Sequence, residues 1–332
     1  MSHFSVCVAI PAAELAGKVF SAGLIDAALS EIMAPYEECP QDLKYKEFED
    51  KSEEAKKEYE TDTIAAVRYP DGHIVKTTER TFDERFVVFE EHIFSRDEKA
   101  PNKRAETDES RALVYIPQVP VKQLYTFEQY CEDYCGYEQD TRGRWGYWRN
   151  PNAQWDWYSV GGGFGGRLLV RSEVVNYIPS EAKTDEAWYK LADGARMGDI
   201  AWAKMKEILQ TAAIAHYHKL VEAFETGDLS QISRFVTRKD DGIYGWPDYC
   251  LYKKGETQEE YLRRIGRSND DQYLLSTFAY VDTDGVWHES GNMGWWGIST
   301  NNKDERNWND EMQEFLGSLK EDDFLVILDC HI

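Results

Sequence analysis

Each end of the chain is a run of strand-forming residues, and this pair limits the possible folds more than any other feature. The first run is His3–Ile10 (HFSVCVAI) and the last is Phe324–Ile332 (FLVILDCHI). Such a density of aliphatic, β-branched and aromatic residues favours strands. We predict an α+β fold: an antiparallel or mixed sheet of N- and C-terminal strands and hairpins, with helices on one face. The two terminal strands are then expected to be neighbours.

Turn residues predict two hairpins between these runs. Asp71-Gly72 separates two β-rich segments and Asp284-Gly285 separates two more, and an Asp-Gly pair supplies the backbone freedom of a tight turn. Helical apolar spacing from Asp185 to Glu225 predicts two or more helices. We expect a single domain over residues 1–332, with an acidic helix or loop inserted at 37–62 and a helical block inserted at 185–270.

The charge balance limits the partners. The chain has 61 acidic and 38 basic side chains, a net charge of −23, which opposes general binding to nucleic-acid backbones and anionic membranes. Solubility is the ordinary meaning of such acidity, and imitation of DNA towards a host defence protein is the alternative. Self-association into a homo-oligomer is left open.

Cysteine usage and hydropathy bear on compartment and cofactors. The six cysteines lack the paired CxxC spacing of a zinc site, so we predict neither a metal nor a cofactor. We expect no signal peptide before the first strand, and no apolar run reaches the length of about 18 residues that a membrane span needs. We therefore expect a reduced protein of the host-cell cytosol.

Residues 142–171 combine aromatic, arginine and glycine residues at unusual density. This segment contains five arginines but only one aspartate. Aromatic faces stack on planar rings, arginines bind phosphate or carboxylate, and glycines let backbone N–H groups approach oxygens. Core packing of the aromatics is the alternative, and the glycines match neither dinucleotide nor P-loop spacing. The predicted ligand-binding residues, with two from a second aromatic cluster, are Arg144, Trp148, Trp155, Trp157, Tyr158, Gly162, Gly163, Arg167, Trp295 and Trp296.

A second set of candidates comes from the terminal strands. Strand alternation puts Asp329 and His331 on one face, and an antiparallel first strand would bring His3 close to them. Together with Asp156, these side chains are candidates for general acid, general base or metal-ligand roles. The alternative is that polar residues simply end the strands.

Several segments resemble a family of uncharacterised proteins from bacteriophages and bacterial mobile elements. The main likeness is Asn150–Tyr158 (NPNAQWDWY) with the glycines and Arg167 behind it, and Asp329–Ile332 (DCHI) ends the chain similarly. Ser2–Val6, Ala34–Glu37 and Gly291–Gly297 are also similar. The family's short Gly-Gly-Arg-Trp motif is expanded here to seven residues, Gly161–Arg167, followed by leucine. The resemblance implies a phage or mobile-element setting, in which small proteins counter host defences.

Three functions are compatible with these features. The first hypothesis is a phage counter-defence protein that binds and sequesters a nucleotide-derived small molecule through residues 142–171. The second is an enzyme that degrades such a molecule, using Asp156 or the set His3, Asp329 and His331. The third is an acidic, DNA-mimicking inhibitor of a host defence protein.

Overall fold

The computed structural model describes residues 2–97, 100–246, 248–268, 274–294 and 298–332. It confirms the α+β class. The chain packs into two compact units. One comprises Met1–Pro40 and Asn152–Ile332 and is called the terminal unit; the other, Gln41–Pro151, is called the middle unit.

The strands follow the chain in this order. They are β1 His3–Ile10, β2 Glu47–Asp50, β3 Thr63–Arg68, β4 Ile74–Lys76, β5 Phe86–Phe89, β6 His92–Asp97, β7 Ala100–Ala105, β8 Val114–Pro120, β9 Glu138–Gln139, β10 Trp145–Arg149, β11 Trp157–Val160, β12 Leu168–Arg171, β13 Tyr177–Pro179, β14 Tyr189–Arg196, β15 Val236–Lys239, β16 Gly242–Gly245, β17 Tyr249–Lys253, β18 Ala279–Val281, β19 Trp287–Glu289, β20 Asn292–Met293, β21 Ser299–Thr300 and β22 Phe324–His331.

The α-helices are mostly short, apart from α2, α3, α7 and α9. They are α1 Ala12–Leu15, α2 Ala22–Met33, α3 Ser52–Thr61, α4 Arg80–Asp83, α5 Asp108–Arg111, α6 Phe127–Gln129, α7 Trp202–Thr226, α8 Gln258–Arg264 and α9 Glu305–Ser318. No helix among the residues described is both long and apolar enough to cross a bilayer.

The terminal unit is built on one mixed sheet in which β1 and β22 lie side by side. These two strands pair antiparallel over their whole length, from His3 opposite His331 to Ile10 opposite Phe324. The strand order is β12-β14-β22-β1-β18-β19, with β11 also paired to β22 and β13 to β14. The β1–β18 pair is parallel. The expectation that the terminal strands are neighbours in a mixed sheet is confirmed.

Helices cover both faces of this sheet, so the prediction of helices on one face is wrong. One face packs on α2, through Ile25, Leu29 and Met33, whereas the other packs on α7 and α9. The reason lies in β1 and β22, which are buried at almost every position. Strands that are apolar on both faces need cover on both.

The predicted helical block contains a strand near its start. Tyr189–Arg196 forms β14, which pairs with β12, β13 and β22, so the helix predicted there is wrong. A Cβ at Gly194 would lie 2.9 Å from side-chain atoms of both Ile178 and Phe324. This close packing explains why β14 has a glycine at this position. Within the block α7 and α8 are helical as predicted, but the strands β15, β16 and β17 lie between them, so the prediction of a wholly helical block is wrong. Helix α7 ends at Thr226, and the next residue, Gly227, adopts the left-handed conformation of a helix C-cap.

The described strands of the middle unit form three small sheets, with the orders β2-β10-β9, β4-β3-β8 and β5-β6-β7. The hairpin expected at Asp71-Gly72 forms between β3 and β4, and the one at Asp284-Gly285 forms between β18 and β19 in the terminal unit. The acidic segment 37–62 contains strand β2 and helix α3. The exposed face of α3 carries an ion pair between Lys56 and Glu53.

Candidate functional site

Three adjacent strands bring the polar residues of the chain ends together. In β22, residues two apart share a face, and pairing with β1 and β11 extends that face sideways. One row consists of His3, His331 and Trp157, and the row beside it of Ser5, Asp329 and Ser159. This face continues into the core beneath α7 and α9, which contains Cys7 and Ile327. The site is therefore the polar end of an otherwise apolar sheet face.

His3 and Asp329 form a hydrogen-bonded pair. Nδ1 of His3 lies 3.0 Å from Oδ1 of Asp329, and the Gly163 amide donates to the other carboxylate oxygen at 2.7 Å. The Asp329 side chain is 7% exposed and that of His3 is 48% exposed. Nε2 of His3 has no hydrogen-bond partner in the part of the chain described. A carboxylate at Nδ1 fixes the ring orientation and leaves Nε2 available for proton transfer.

His331 and Asp156 form a second pair beside the first. Nδ1 of His331 lies 2.7 Å from Oδ1 of Asp156, while the buried Nε2 has no partner among the residues described. The His331 ring stacks on Trp157, with centroids 5.1 Å apart, and meets the edge of His3 at 5.2 Å. The structure thus brings together all four candidates, Asp156, His3, Asp329 and His331.

The glycine-rich loop, Gly161–Arg167, encloses two buried carboxylates of the chain itself, those of Asp193 and Asp329. Besides the Gly163–Asp329 bond, the Gly166 amide donates to Oδ1 of Asp193 at 2.6 Å. Gly161 and Gly162 have positive φ, and a Cβ at either position would overlap Asp193 or Asp329. The Gly163 amide, predicted to meet a ligand oxygen, is therefore occupied by Asp329. Gly162 contributes to the loop through its positive φ and its lack of a Cβ, which allow the close approach to Asp329.

Substituting Gly161 tests this close approach. We expect Gly161→Ala to cost about 1–3 kcal/mol more than Gly227→Ala, because only the former forces a Cβ into a carboxylate. Both glycines have positive φ, but ψ is −72° at Gly161 and 0° at Gly227, so backbone strain adds to the overlap with the carboxylate at Gly161. Urea denaturation measures the difference, and equal costs would show that Asp193 moves aside freely.

Arg167 is the last residue of the loop, and it forms no ion pair with a carboxylate among the residues described. Its guanidinium donates to the Ser276 carbonyl at 3.0 Å and lies 3.4 Å from Oγ of Ser5. It also covers the Phe164 ring. Half-burial lowers the pKa of Arg167 from its usual value, but an arginine remains charged at neutral pH. A positive charge therefore lies next to the Ser5–Asp329 row.

The structure does not gather the other residues of segment 142–171 around this site. Arg144 and Trp148 belong to the middle unit, where Arg144 pairs with Asp140 at 2.7 Å and Trp148 packs edge-on against Phe48. Trp155 is buried and donates to the Met33 carbonyl. Tyr158 packs on the same core, and its burial raises the pKa of the phenol.

Trp157 is the exposed aromatic residue of the segment that lies at this site, with 44% of its surface exposed; Trp148 is 41% exposed but belongs to the middle unit. Trp295 and Trp296 lie outside the described residues. The residues that sequence reasoning missed are Asp193, Ser5 and Ser159. Asp193 was hidden by the helix prediction for β14; its signal was an acid enclosed by Ala192 and Gly194 in an apolar run.

Nothing in the described ranges forms a group of three or more His, Cys, Asp or Glu side chains suited to a metal ion. The arrangement instead suits acid–base chemistry, because each imidazole is oriented by its own carboxylate. No family model, curated protein or solved structure matches this chain.

Proposed function

We propose that the protein is an acid–base enzyme that hydrolyses a phosphate ester bond in a nucleotide-like small molecule, with His3 as the proton-transfer group. One observation carries this proposal: the half-exposed His3 is bonded through Nδ1 to buried Asp329, and its Nε2 has no partner within the described chain. A histidine held in this way is suited to general acid–base catalysis at neutral pH.

The proposed step uses water as the nucleophile. Nε2 of His3 accepts a proton from water as the water oxygen bonds to phosphorus. The phosphorus–oxygen ester bond breaks, and the same proton passes from His3 to the leaving oxygen. Asp329 is a positioning residue: it keeps the Nδ1 proton in place and stabilises the imidazolium that forms during the step.

Arg167 and Trp157 support a nucleotide-like substrate. The Arg167 guanidinium is charged and has no acid partner among the residues described, so it is suited to the phosphate. One face of the Trp157 ring stacks on His331, and the exposed part of the side chain offers a surface for a base. In the phage setting implied by the resemblance, hydrolysis would remove a host defence signal.

Binding without chemistry is the second candidate, and it is the favoured hypothesis from the sequence. The exposed part of Trp157 supports it, since stacking and an arginine contact are sufficient to hold a nucleotide. The two candidates share the site and differ in whether a product forms. Native mass spectrometry of the purified protein distinguishes an intact bound nucleotide from a converted one.

Asp329→Asn tests the positioning role. We expect kcat to fall roughly 10²–10⁴-fold, because an amide cannot hold the same imidazole tautomer. The assay follows cyclic mononucleotides, cyclic dinucleotides and pyrophosphate-linked dinucleotides by ³¹P NMR. Asp193→Asn is the matched control, since Asp193 is likewise buried and held by a loop amide but has no histidine partner.

The outcomes separate the candidates. Loss of turnover in Asp329→Asn alone supports the enzyme. Equal losses in both variants assign the effect to the glycine-rich loop and contradict the positioning role. Absence of any product from the wild-type protein, together with tight nucleotide binding, replaces the enzyme by the sequestering protein.

A further inference from the structure

A cavity of about 720 Å³ lies in the terminal unit between α7 and the β15–β17 sheet. Three aromatic side chains line it: Phe235 precedes β15, Trp246 follows β16, and Tyr249 begins β17. The antiparallel register sets Val236 opposite Gly245, and Gly245 opposite Tyr249. All three aromatics therefore lie at the same end of this small sheet. A cavity of this volume is typical of sites for drug-sized ligands.

The three rings are unusually exposed for aromatic side chains. Phe235 is 65% exposed, Trp246 is 79% exposed and Tyr249 is 58% exposed. None of them contacts another aromatic ring in the part of the chain described. Large aromatic groups left in water at one place mark binding sites, because covering them releases substantial free energy.

The backbone holds these residues in position around the cavity. The Trp246 amide donates to the Phe235 carbonyl at 3.1 Å, which ties the two wall residues together. Tyr249 lies against Gly245, where a Cβ would come within 2.7 Å of ring atoms. The glycine thus allows the tyrosine ring to lie directly over the strand. Tyr249 belongs to β17, and Phe235 and Trp246 directly flank β15 and β16.

His216, on α7, supplies a polar group in the cavity wall. Its Nδ1 lies 3.0 Å from the Tyr261 hydroxyl, and its Nε2 has no partner among the residues described. Burial lowers the pKa of His216, and Lys219 lowers it further. The imidazole is therefore neutral at neutral pH. Its free nitrogen can make one hydrogen bond to a bound molecule.

The wall is uncharged although the protein carries a net charge of −23. The described residues that line the cavity include no Asp, Glu, Lys or Arg; besides the aromatics and His216 they are Ile232, Ser233, Val236 and Leu251. A charged ligand group would lose its hydration without gaining an ionic partner from these side chains. The guanidinium of Arg234 lies over the Phe235 ring, 5.0 Å from its centroid, and is not one of the lining groups. Flat, uncharged molecules fit this chemistry best.

We infer that this cavity binds an uncharged planar heteroaromatic ring of the nucleobase or nucleoside class. The ring stacks against Trp246 and Tyr249, and its polar edge bonds to Nε2 of His216. The site is separate from the His3–Asp329 pair, since no residue of that pair lines the cavity. The inference stands whether or not the proposed hydrolysis occurs.

Calorimetric titration of the full chain with adenosine tests the inference, with ribose as the probe that lacks a base. We expect adenosine to bind, ribose to give no heat, and Trp246→Ala to weaken adenosine binding roughly 5–150-fold, the range for loss of one stacked base. Trp188→Ala is the matched control, because Trp188 is 77% exposed and is absent from the cavity wall. It should leave adenosine affinity unchanged.

A second variant guards against misfolding as an explanation. His216→Gln keeps a neutral hydrogen-bonding side chain, and we expect it to bind adenosine more tightly than Trp246→Ala does. Adenosine affinity that is equal in the wild type and in Trp246→Ala overturns the inference. It is also overturned if the wild-type protein binds no adenosine. Dissociation of a dimer by Trp246→Ala in sedimentation would then assign the aromatic surface to self-association.

Discussion

His3→Ala should lower kcat/KM for the phosphate ester roughly 10²–10⁴-fold, the usual contribution of a positioned general acid–base group. The fold should persist, because the His3 side chain is about half exposed and its only hydrogen bond in the described chain is to Asp329. The loss should therefore be in catalysis and not in stability. Turnover measured by ³¹P NMR, with circular dichroism of the same sample, checks both parts.

His73→Ala is the control for this prediction. His73 is likewise about half exposed and is hydrogen-bonded through Nδ1 to an aspartate, Asp71, but it lies in the middle unit. Its replacement should leave turnover unchanged. Added imidazole should partly restore the His3→Ala variant, since the missing ring is reachable from solvent. Full turnover by His3→Ala would remove His3 from the chemistry.

Ile327→Ala should reduce the free energy of unfolding by about 2–5 kcal/mol, the usual cost of truncating a fully buried isoleucine. Ile327 has no exposed surface and lies in β22 opposite Cys7, within the core covered by α7 and α9. Natural domains are stable by about 5–15 kcal/mol, so the loss is a large share. Urea denaturation followed by circular dichroism measures it.

Ile298→Ala provides the comparison for the core prediction. The Ile298 side chain is 65% exposed, and substitutions at such positions usually change stability by less than about 0.5 kcal/mol. Similar costs for the two variants would mean that β22 is not the centre of the cooperative unit. A large cost for Ile327→Ala alone would support the central position of the C-terminal strand.

The site shows how far strand periodicity carries a prediction. Alternation along β22 is a local property, so Asp329 and His331 could be assigned to one face from the sequence. The approach of His3 followed from one further step, the pairing of the terminal strands, which the structure confirms. The contact between His331 and Asp156 required β11 to pair with the last residues of β22, beyond the part that pairs with β14. Nothing in the local pattern of residues 156–160 specifies that neighbour.

Residues 142–171 show where composition misleads. Their aromatic and arginine residues are close in sequence, yet the chain passes from the middle unit to the terminal unit after Pro151. Trp155 is used in the core, while Arg144 is paired with Asp140. Composition shows which side chains a segment contains. Burial and ion pairing in the folded protein decide which of those side chains can still bind a ligand.

The sequence by itself determined the α+β class, the terminal strands, the Asp-Gly hairpins and the shared face of Asp329 and His331. These features depend on short-range periodicity and turn chemistry. Only the tertiary structure decided that Tyr189–Arg196 is a strand, that helices cover both sheet faces, and that the loop glycines enclose Asp193 and Asp329. The physical reason is that small residues fit helix or strand alike, and long-range packing selects between them.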